Sequence, residues 1–148
     1  MLEDKEIGYI LHKAAMVSKN NYSNQLNVLG ITPGQFTVLK EIYYHNENTT
    51  ELGLAPACIA DRLECDRPTI SGIIDRLEAQ GWIVRLQHPD DKRSFLIQVT
   101  DKAKDNLIEL NEINKENQNM ILNGFTEEET ILLKCYLLRV INNFKGME

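Results

Sequence analysis

Residues 55–99 decide the fold, and they read APACIADRLECDRPTISGIIDRLEAQGWIVRLQHPDDKRSFLIQV. Their first half predicts two short helices. The first opens at Ala55-Pro56, with proline in the first turn, where a missing N–H costs nothing. After a tight connection, Asp66 is a favoured N-cap residue, and Pro68 lies in the first turn of the second helix. Two short helices that meet at a tight turn are typical of a helix-turn-helix.

The second half of this stretch predicts a β-hairpin. The second helix runs to Gln80 and stops at Gly81, a residue type favoured just past a helix end. Residues 82–87 and 95–99 are rich in branched and aromatic side chains, and they bracket the polar segment 88–94. A hairpin with a long charged tip directly after a helix-turn-helix is a wing.

Helices are also predicted on both sides of this stretch. Apolar residues recur at helical spacing from about Lys5 toward Gln25 and predict a first helix there. Thr32-Pro33-Gly34-Gln35 is a capping box that starts a second one. Two more helices follow Thr100, and the last begins with a capping box at Thr126-Glu127-Glu128-Glu129. The last helix is apolar over more than one face. One face can pack on its own subunit, and the remaining apolar surface needs another partner.

These elements predict a mainly α fold with a small β-hairpin wing, in a single domain over residues 1–148. Residues 32–99 would form the winged helix-turn-helix lobe. Residues 1–30 and 100–148 would form dimerisation helices, with a homodimer interface drawn from Lys5–Gln25 and Ala103–Phe144.

The charge distribution bears on the partner. The net charge is −6, which opposes binding to a polyanion because phosphate contacts are the main source of affinity for DNA. Residues 55–98, however, carry six basic and seven acidic side chains, so most of the negative charge lies in the flanks. Five of the arginines lie in this middle part, and arginine suits phosphates and guanine edges. Electrostatic repulsion of DNA is therefore weakest in the middle of the chain.

Several classes of protein are disfavoured by the sequence. No apolar run approaches the roughly 20 residues that a bilayer requires, and the N-terminus is acidic where a secretory signal is basic, so we expect a cytoplasmic protein without membrane contact. Glycine-rich phosphate loops, GxSxG and HExxH motifs are lacking, so we expect no enzyme, no catalytic residue, no cofactor and no metal. The three cysteines lack a CxxC pair and are expected to be reduced and mostly buried.

The chain resembles the MarR family of bacterial regulators over nearly its whole length. The most specific similarities are Arg67-Pro68-Thr69 at the start of the second helix, Asp75-Arg76-Leu77-Glu78 near its end, and Asp91-Lys92-Arg93 in the wing. The sequence departs from the family at Gly72, where a basic residue is frequent, and at Val99-Thr100-Asp101-Lys102-Ala103 after the wing. The resemblance implies a triangular homodimer whose two winged lobes reach adjacent major grooves of a pseudo-palindromic DNA operator. It also implies repression that a ligand or an oxidant relieves in many members.

The candidate DNA-binding residues follow from helical geometry and from the wing. With the apolar stripe of the second helix turned inward, small residues on its outer face would let it approach base edges in the major groove. Arg93 would enter a minor groove, and Asp91 would orient it through a charge-assisted hydrogen bond. We expect Asp75 to pair with Arg62 or Arg76. The full predicted set is Arg67, Pro68, Thr69, Ser71, Gly72, Arg76, Asp91, Lys92 and Arg93.

An effector site and one alternative function complete the predictions. By position in the fold that the resemblance implies, a small-molecule effector would lie among His12, Met16, Phe36, Lys40 and Tyr43. The resemblance places the reactive thiol of peroxide-sensing members in the first helix, which here has no cysteine, so the thiols are predicted to be structural, with Cys65 the one outside candidate. The alternative function is a winged-helix module that binds proteins and not DNA, which the negative net charge favours.

Overall fold

A computed structural model describes residues 1–147, and Glu148 lies outside the described residues. The helices are α1 (Ile7–Leu26), α2 (Pro33–Asn48), α3 (Pro56–Leu63), α4 (Arg67–Ala79), α5 (Asp101–Ile121) and α6 (Glu127–Phe144), and the strands are β1 (Ile83–Gln87) and β2 (Phe95–Val99). Short 3₁₀ turns flank α1 at Leu2–Asp4 and Asn27–Leu29. The predicted mainly α fold with a β-hairpin wing is confirmed.

The helix boundaries follow local capping chemistry. The Thr32 hydroxyl accepts the Gln35 N–H at 3.2 Å, and the Gln35 side chain accepts the Thr32 N–H at 2.9 Å, so the predicted capping box is formed. Thr126 and Glu129 form the same box at the start of α6. Gly81 adopts φ 78° just beyond α4, which a side chain would strain. The first helix begins two residues later than predicted, at Ile7.

The wing is an antiparallel hairpin that a third segment extends. Ile83 pairs with Val99 and Gln87 with Phe95, which fixes the register of β1 and β2. Leu54 and Ile97 exchange two backbone hydrogen bonds of 2.9 Å, so a residue two positions before α3 continues the sheet. A Cβ on Gly53 would lie 2.6 Å from the Ile97 carbonyl oxygen, so glycine is required for this approach. The sequence pattern did not predict this pairing.

One hydrophobic core holds the lobe together. It joins the inner faces of α2, α3 and α4 to the base of the wing and extends to Leu26 at the end of α1 and to Ala103 and Leu110 of α5. Trp82, at the entry to β1, is 1% exposed, and the Lys102 ammonium lies 4.5 Å from the centre of its ring. The largest buried side chains in this core include Phe36, Leu39, Ile42, Ile59, Ile70, Ile74, Leu77, Ile83 and Ile97. Helix α4 is thereby anchored by its apolar stripe, which leaves its opposite face exposed.

The flanking helices are packed unequally. α1 packs on α5, where the Tyr22 hydroxyl donates to Asn114 Oδ1 at 3.1 Å, and burial raises the pKa of the Tyr22 phenol to about 12. In α6, by contrast, no residue is buried, although Leu133 and Val140 are half-buried. These two residues lie seven positions apart, on one side of the helix, and the packing of one face of α6 on its own subunit stays a prediction. A helix with this much apolar side chain in water requires a partner surface.

Candidate nucleic-acid interface

The N-terminus of α4 is organised by Asp66. Its carboxylate accepts the Thr69 hydroxyl at 2.6 Å and the Thr69 backbone N–H at 2.8 Å. These bonds hold the pKa of the Asp66 carboxyl below its usual value, and the bond from the Thr69 hydroxyl is the larger cause. The cap fixes the first turn of the helix, where Arg67 and Pro68 stand exposed.

The outer face of α4 is exposed and built from small side chains and arginine. Ser71 and Arg76 are exposed, and Gly72 is half-buried. A Cβ on Gly72 would meet only the Arg76 guanidinium, at 3.6 Å, so Arg76 lies back along the helix over this position. A helix whose outward side chains are this small can approach a DNA groove closely. The structure thus places these predicted residues on one accessible face, and their contact with DNA stays a prediction.

In the wing, Asp91 builds the turn that presents Arg93. Asp91 Oδ1 accepts the Arg93 backbone N–H at 2.9 Å, and Oδ2 accepts the Ser94 hydroxyl at 2.7 Å. These two bonds, the Ser94 bond being the stronger cause, lower the pKa of the Asp91 carboxyl. We had expected Asp91 to hold the Arg93 side chain. The bond goes to the backbone of Arg93 because an aspartate in a turn reaches the N–H two residues ahead most easily.

Recognition helix and wing meet at a shared cleft of about 390 Å³. Arg67 and Ser71 line it from α4, Arg93 and Phe95 line it from the wing, and Ala57 belongs to the wall that α3 provides. Two arginines on opposite walls of one cleft make it a cationic concavity of the kind that accepts phosphate. Lys92 lies outside this set and lines a neighbouring concavity with Arg85 and Gln87.

The predicted partner of Asp75 was wrong. Asp75 accepts a hydrogen bond from Arg85 of β1, while Arg62 donates to Glu41 at 3.1 Å. The reason is that β1 runs beside the last turns of α4, which brings Arg85 closer to Asp75 than the arginine on its own helix. Sequence reasoning missed Arg85 because no local spacing relates a strand residue to a helix ten positions earlier.

The comparisons with known proteins agree with this geometry. The model of the MarR family matches residues 31–95, the lobe and most of the wing. Over these residues the chain is similar to the MarR family. The transcriptional regulator PecS of Dickeya dadantii is 36% identical over 59% of this chain and 52% of its own length. The chain therefore spans about half the length of that relative. The uncharacterized regulator YybA of Bacillus subtilis is 29% identical over 95% of the chain and 87% of its own length.

Among solved structures, a complex of S. aureus MepR with DNA superposes with a TM-score of 0.84 at 23% identity, covering 95% of this chain and 99% of that one. At this identity the match concerns the fold. The match in fold thus includes the helices outside residues 31–95, at both ends of the chain.

The predicted effector residues lie on two helices, His12 and Met16 on α1 and Phe36, Lys40 and Tyr43 on α2. Phe36 is 1% exposed and belongs to the core, with the Lys40 ammonium 5.1 Å from the centre of its ring. Tyr43 is half-buried, while His12 and Met16 are exposed on α1. A cavity of about 460 Å³ lies between α1 and α5 and is lined by other residues: Ala14, Val17, Ser18, Asn21, Asn117, Met120 and Ile121. The effector site stays a prediction.

The expectation of buried cysteines was wrong. Cys58, Cys65 and Cys135 are all exposed in the chain and form no disulfide. Cys58 lies on the exposed side of α3, whose buried residues are Ile59 and Ala60. Cys65 is exposed in the connection between α3 and α4. Within residues 1–147 no cluster of three or more metal-binding side chains occurs. No helix of the described residues is long and apolar enough to cross a bilayer.

A titration of stability should reveal the Asp66 cap. The carboxyl has a lower pKa in the folded chain than in the unfolded one, so its contribution is present above about pH 4 and is lost as the pH falls through the folded value. We expect Asp66→Ala to lower the melting temperature at pH 7 and to lower it less at pH 3. Asp66→Asn keeps a cap acceptor without the charge, and at pH 7 its melting temperature should lie between those of the wild type and of Asp66→Ala. Equal losses for the alanine variant at both pH values would contradict this role.

The cysteines should differ in their reactivity in the assembled protein. Cys135 has the apolar side chains Ile131 and Leu138 beside it on α6, whereas Cys58 and Cys65 lie on the lobe. We expect a thiol reagent to modify two cysteines per chain quickly in the native protein and the third only after denaturation. Peptide mapping identifies the slow one. A rapidly labelled Cys135 would show that this side of α6 is not covered.

Proposed function

We propose that this chain is a homodimeric, sequence-specific DNA-binding regulator of transcription. The observation that carries the proposal is the cleft between recognition helix and wing, where Arg67 and Arg93 face each other beside the low outer surface of α4. Phosphate contacts position such a protein, and base edges in the major groove are read by the helix. The solved structure of MepR with DNA, which has the same fold, supports this interpretation.

The same proposal assigns different roles to the lobe and to the flanking helices. Residues 32–99 would bind DNA, and residues 1–30 and 100–148 would join two chains. Large apolar side chains that stand in water on α1, α5 and α6 support this, among them Ile7, Ile108, Ile131, Leu132 and Leu138. A dimer with two-fold symmetry binds two half-sites about one helical turn, or roughly 10 base pairs, apart. The operator should therefore be pseudo-palindromic.

The regulatory outcome we propose is repression that a small-molecule ligand relieves. Regulators of this kind act on duplex DNA in the cytoplasm and need no catalytic residue. The alternative, a winged-helix module that binds proteins, draws on the net charge of −6. Against it, the lobe concentrates arginine around the cleft, whereas much of the exposed apolar surface lies on the flanking helices.

Selection from a library of random duplexes tests the DNA function. We expect recovered sequences to share an inverted repeat, and the affinity for them to fall steeply with salt. Ser71→Glu places a negative charge on the outer face of α4 and should abolish enrichment. Thr50→Glu, with the same charge change at an exposed loop position after α2 that does not line the cleft, should retain it. No enriched duplex with the wild-type chain would favour the protein-binding module.

A further inference from the structure

We propose that Arg85 is a positioning residue that holds the wing against the recognition helix and thereby sets the width of the DNA-binding cleft. The inference rests on the proposed function and extends it to a residue that does not line the shared cleft. It derives from a three-way contact that joins β1 to both α4 and β2.

The guanidinium of Arg85 makes three contacts while its side chain stays partly exposed. One terminal nitrogen donates to Asp75, and the other lies 3.7 Å from Glu78 Oε1 one turn further along α4. The guanidinium carbon lies 4.8 Å from the centre of the Phe95 ring on β2. The planar group thus spans two carboxylates on the helix and an aromatic ring on the wing, a geometry that suits arginine and not lysine.

The ring beneath Arg85 connects this contact to the cleft. Phe95 lines the cleft together with Arg93, and Arg67 and Ser71 line it from the helix. A shift of Phe95 would therefore move one wall of the cleft relative to the other. Because a specific DNA complex requires the helix and the wing to reach their grooves at the same time, the distance between these walls affects affinity.

Neutralisation of charge is the competing explanation for any effect of Arg85. Asp75 and Glu78 lie on the recognition helix, where unpaired carboxylates repel phosphate, and Arg85 compensates them. The double variant Asp75→Asn/Arg85→Gln separates the two effects, since it removes the ion pair while the net charge of the chain is unchanged. Exposed ion pairs contribute little to folding, so this variant should still fold.

Binding to a duplex selected with the wild-type chain provides the first measurement. We expect the double variant to bind about tenfold more weakly, with an unchanged slope of affinity against salt. Arg85→Lys should recover part of the loss of Arg85→Gln. The matched control Glu41→Gln/Arg62→Gln removes an ion pair between α2 and α3, again without a change in net charge, and should bind like the wild type. The proposal would be overturned if the Asp75/Arg85 variant bound with wild-type affinity or if the control lost as much affinity as that variant. It would also be overturned if the slope of affinity against salt fell by about one unit in the Asp75/Arg85 variant.

Hydrogen exchange in the free protein provides a readout that needs no DNA. We expect backbone amides of residues 83–99 to exchange faster in Asp75→Asn/Arg85→Gln, while those of α1 and α5 keep the wild-type rate. Unchanged exchange in the hairpin would also overturn the proposal. If the wild-type chain selects no duplex, the proposed function fails, and this measurement still decides whether Arg85 holds the wing.

Discussion

Removal of residues 126–148 is expected to convert the protein into aggregated or unfolded chain. The deletion takes away α6, in which no residue is buried within the chain but Ile131, Leu138 and Phe144 stand in water. If these side chains cover α1 and α5 of a second copy, their removal exposes apolar surface on both chains. Uncovered patches of that size are aggregation sites. Light scattering coupled to gel filtration, together with circular dichroism, measures the outcome.

A point variant separates loss of assembly from loss of folding. Leu138→Glu puts a charge among the exposed apolar side chains of α6 and should dissociate the dimer, because burying an unpaired carboxylate is costly. Lys134→Glu changes an exposed polar side chain on the same helix and should leave the dimer intact. A well-folded monomer from the truncated chain, or an intact dimer with Leu138→Glu, would contradict the proposed interface.

Arg93→Ala is expected to weaken operator binding by about 1–3 kcal/mol for each half-site that the wing touches. Arg93 stands at the exposed tip of the wing and faces Arg67 across the cleft, so it is placed to reach phosphate or a narrow minor groove. The salt slope should fall by about one unit for each phosphate that the variant no longer neutralises. Since a dimer carries two wings, the total decrease in affinity, as a free energy, should be roughly double that of one wing. The measurement is operator affinity at several salt concentrations.

The neighbours of Arg93 provide the controls. Lys92→Ala has the same charge change in the same loop but removes a side chain outside the cleft, so a smaller effect is expected. Asp91→Ala should also cost less than Arg93→Ala, because its carboxylate organises the turn and needs no contact with DNA. The effects of Asp91→Ala and Arg93→Ala should not add, since both act through one loop. If Arg93→Ala binds as tightly as the wild type, the wing does not bind this DNA.

The local elements could be predicted because their causes are local. The capping residues Thr32, Asp66 and Thr126 each satisfy N–H groups within three positions, so neighbouring sequence contains the whole interaction. The apolar spacing of α4 likewise selects its buried face, and Gly81 marks its end. The candidate DNA-binding residues of α4 could be assigned to an outer face for the same reason.

Contacts between distant elements could not be predicted in this way. The pairing of Leu54 with Ile97 and that of Asp75 with Arg85 depend on how the hairpin lies against α3 and α4. The exposure of Cys58 and Cys65 depends on which side of a short helix meets the core, and α3 is too short for its spacing to settle this. The expected location of these cysteines in the core was wrong for that reason.

The sequence by itself determined the order of helices and strands, the capped starts of α2, α4 and α6, and the identity of the outward side chains on the recognition helix. Periodicity and capping are short-range effects, and each is complete within a few residues. Only the tertiary structure decided that Arg67 and Arg93 share a cleft and that Arg85 joins the wing to α4. These relations are distances between elements, and they arise when the common core around Trp82 and Ile97 packs the helices against the hairpin.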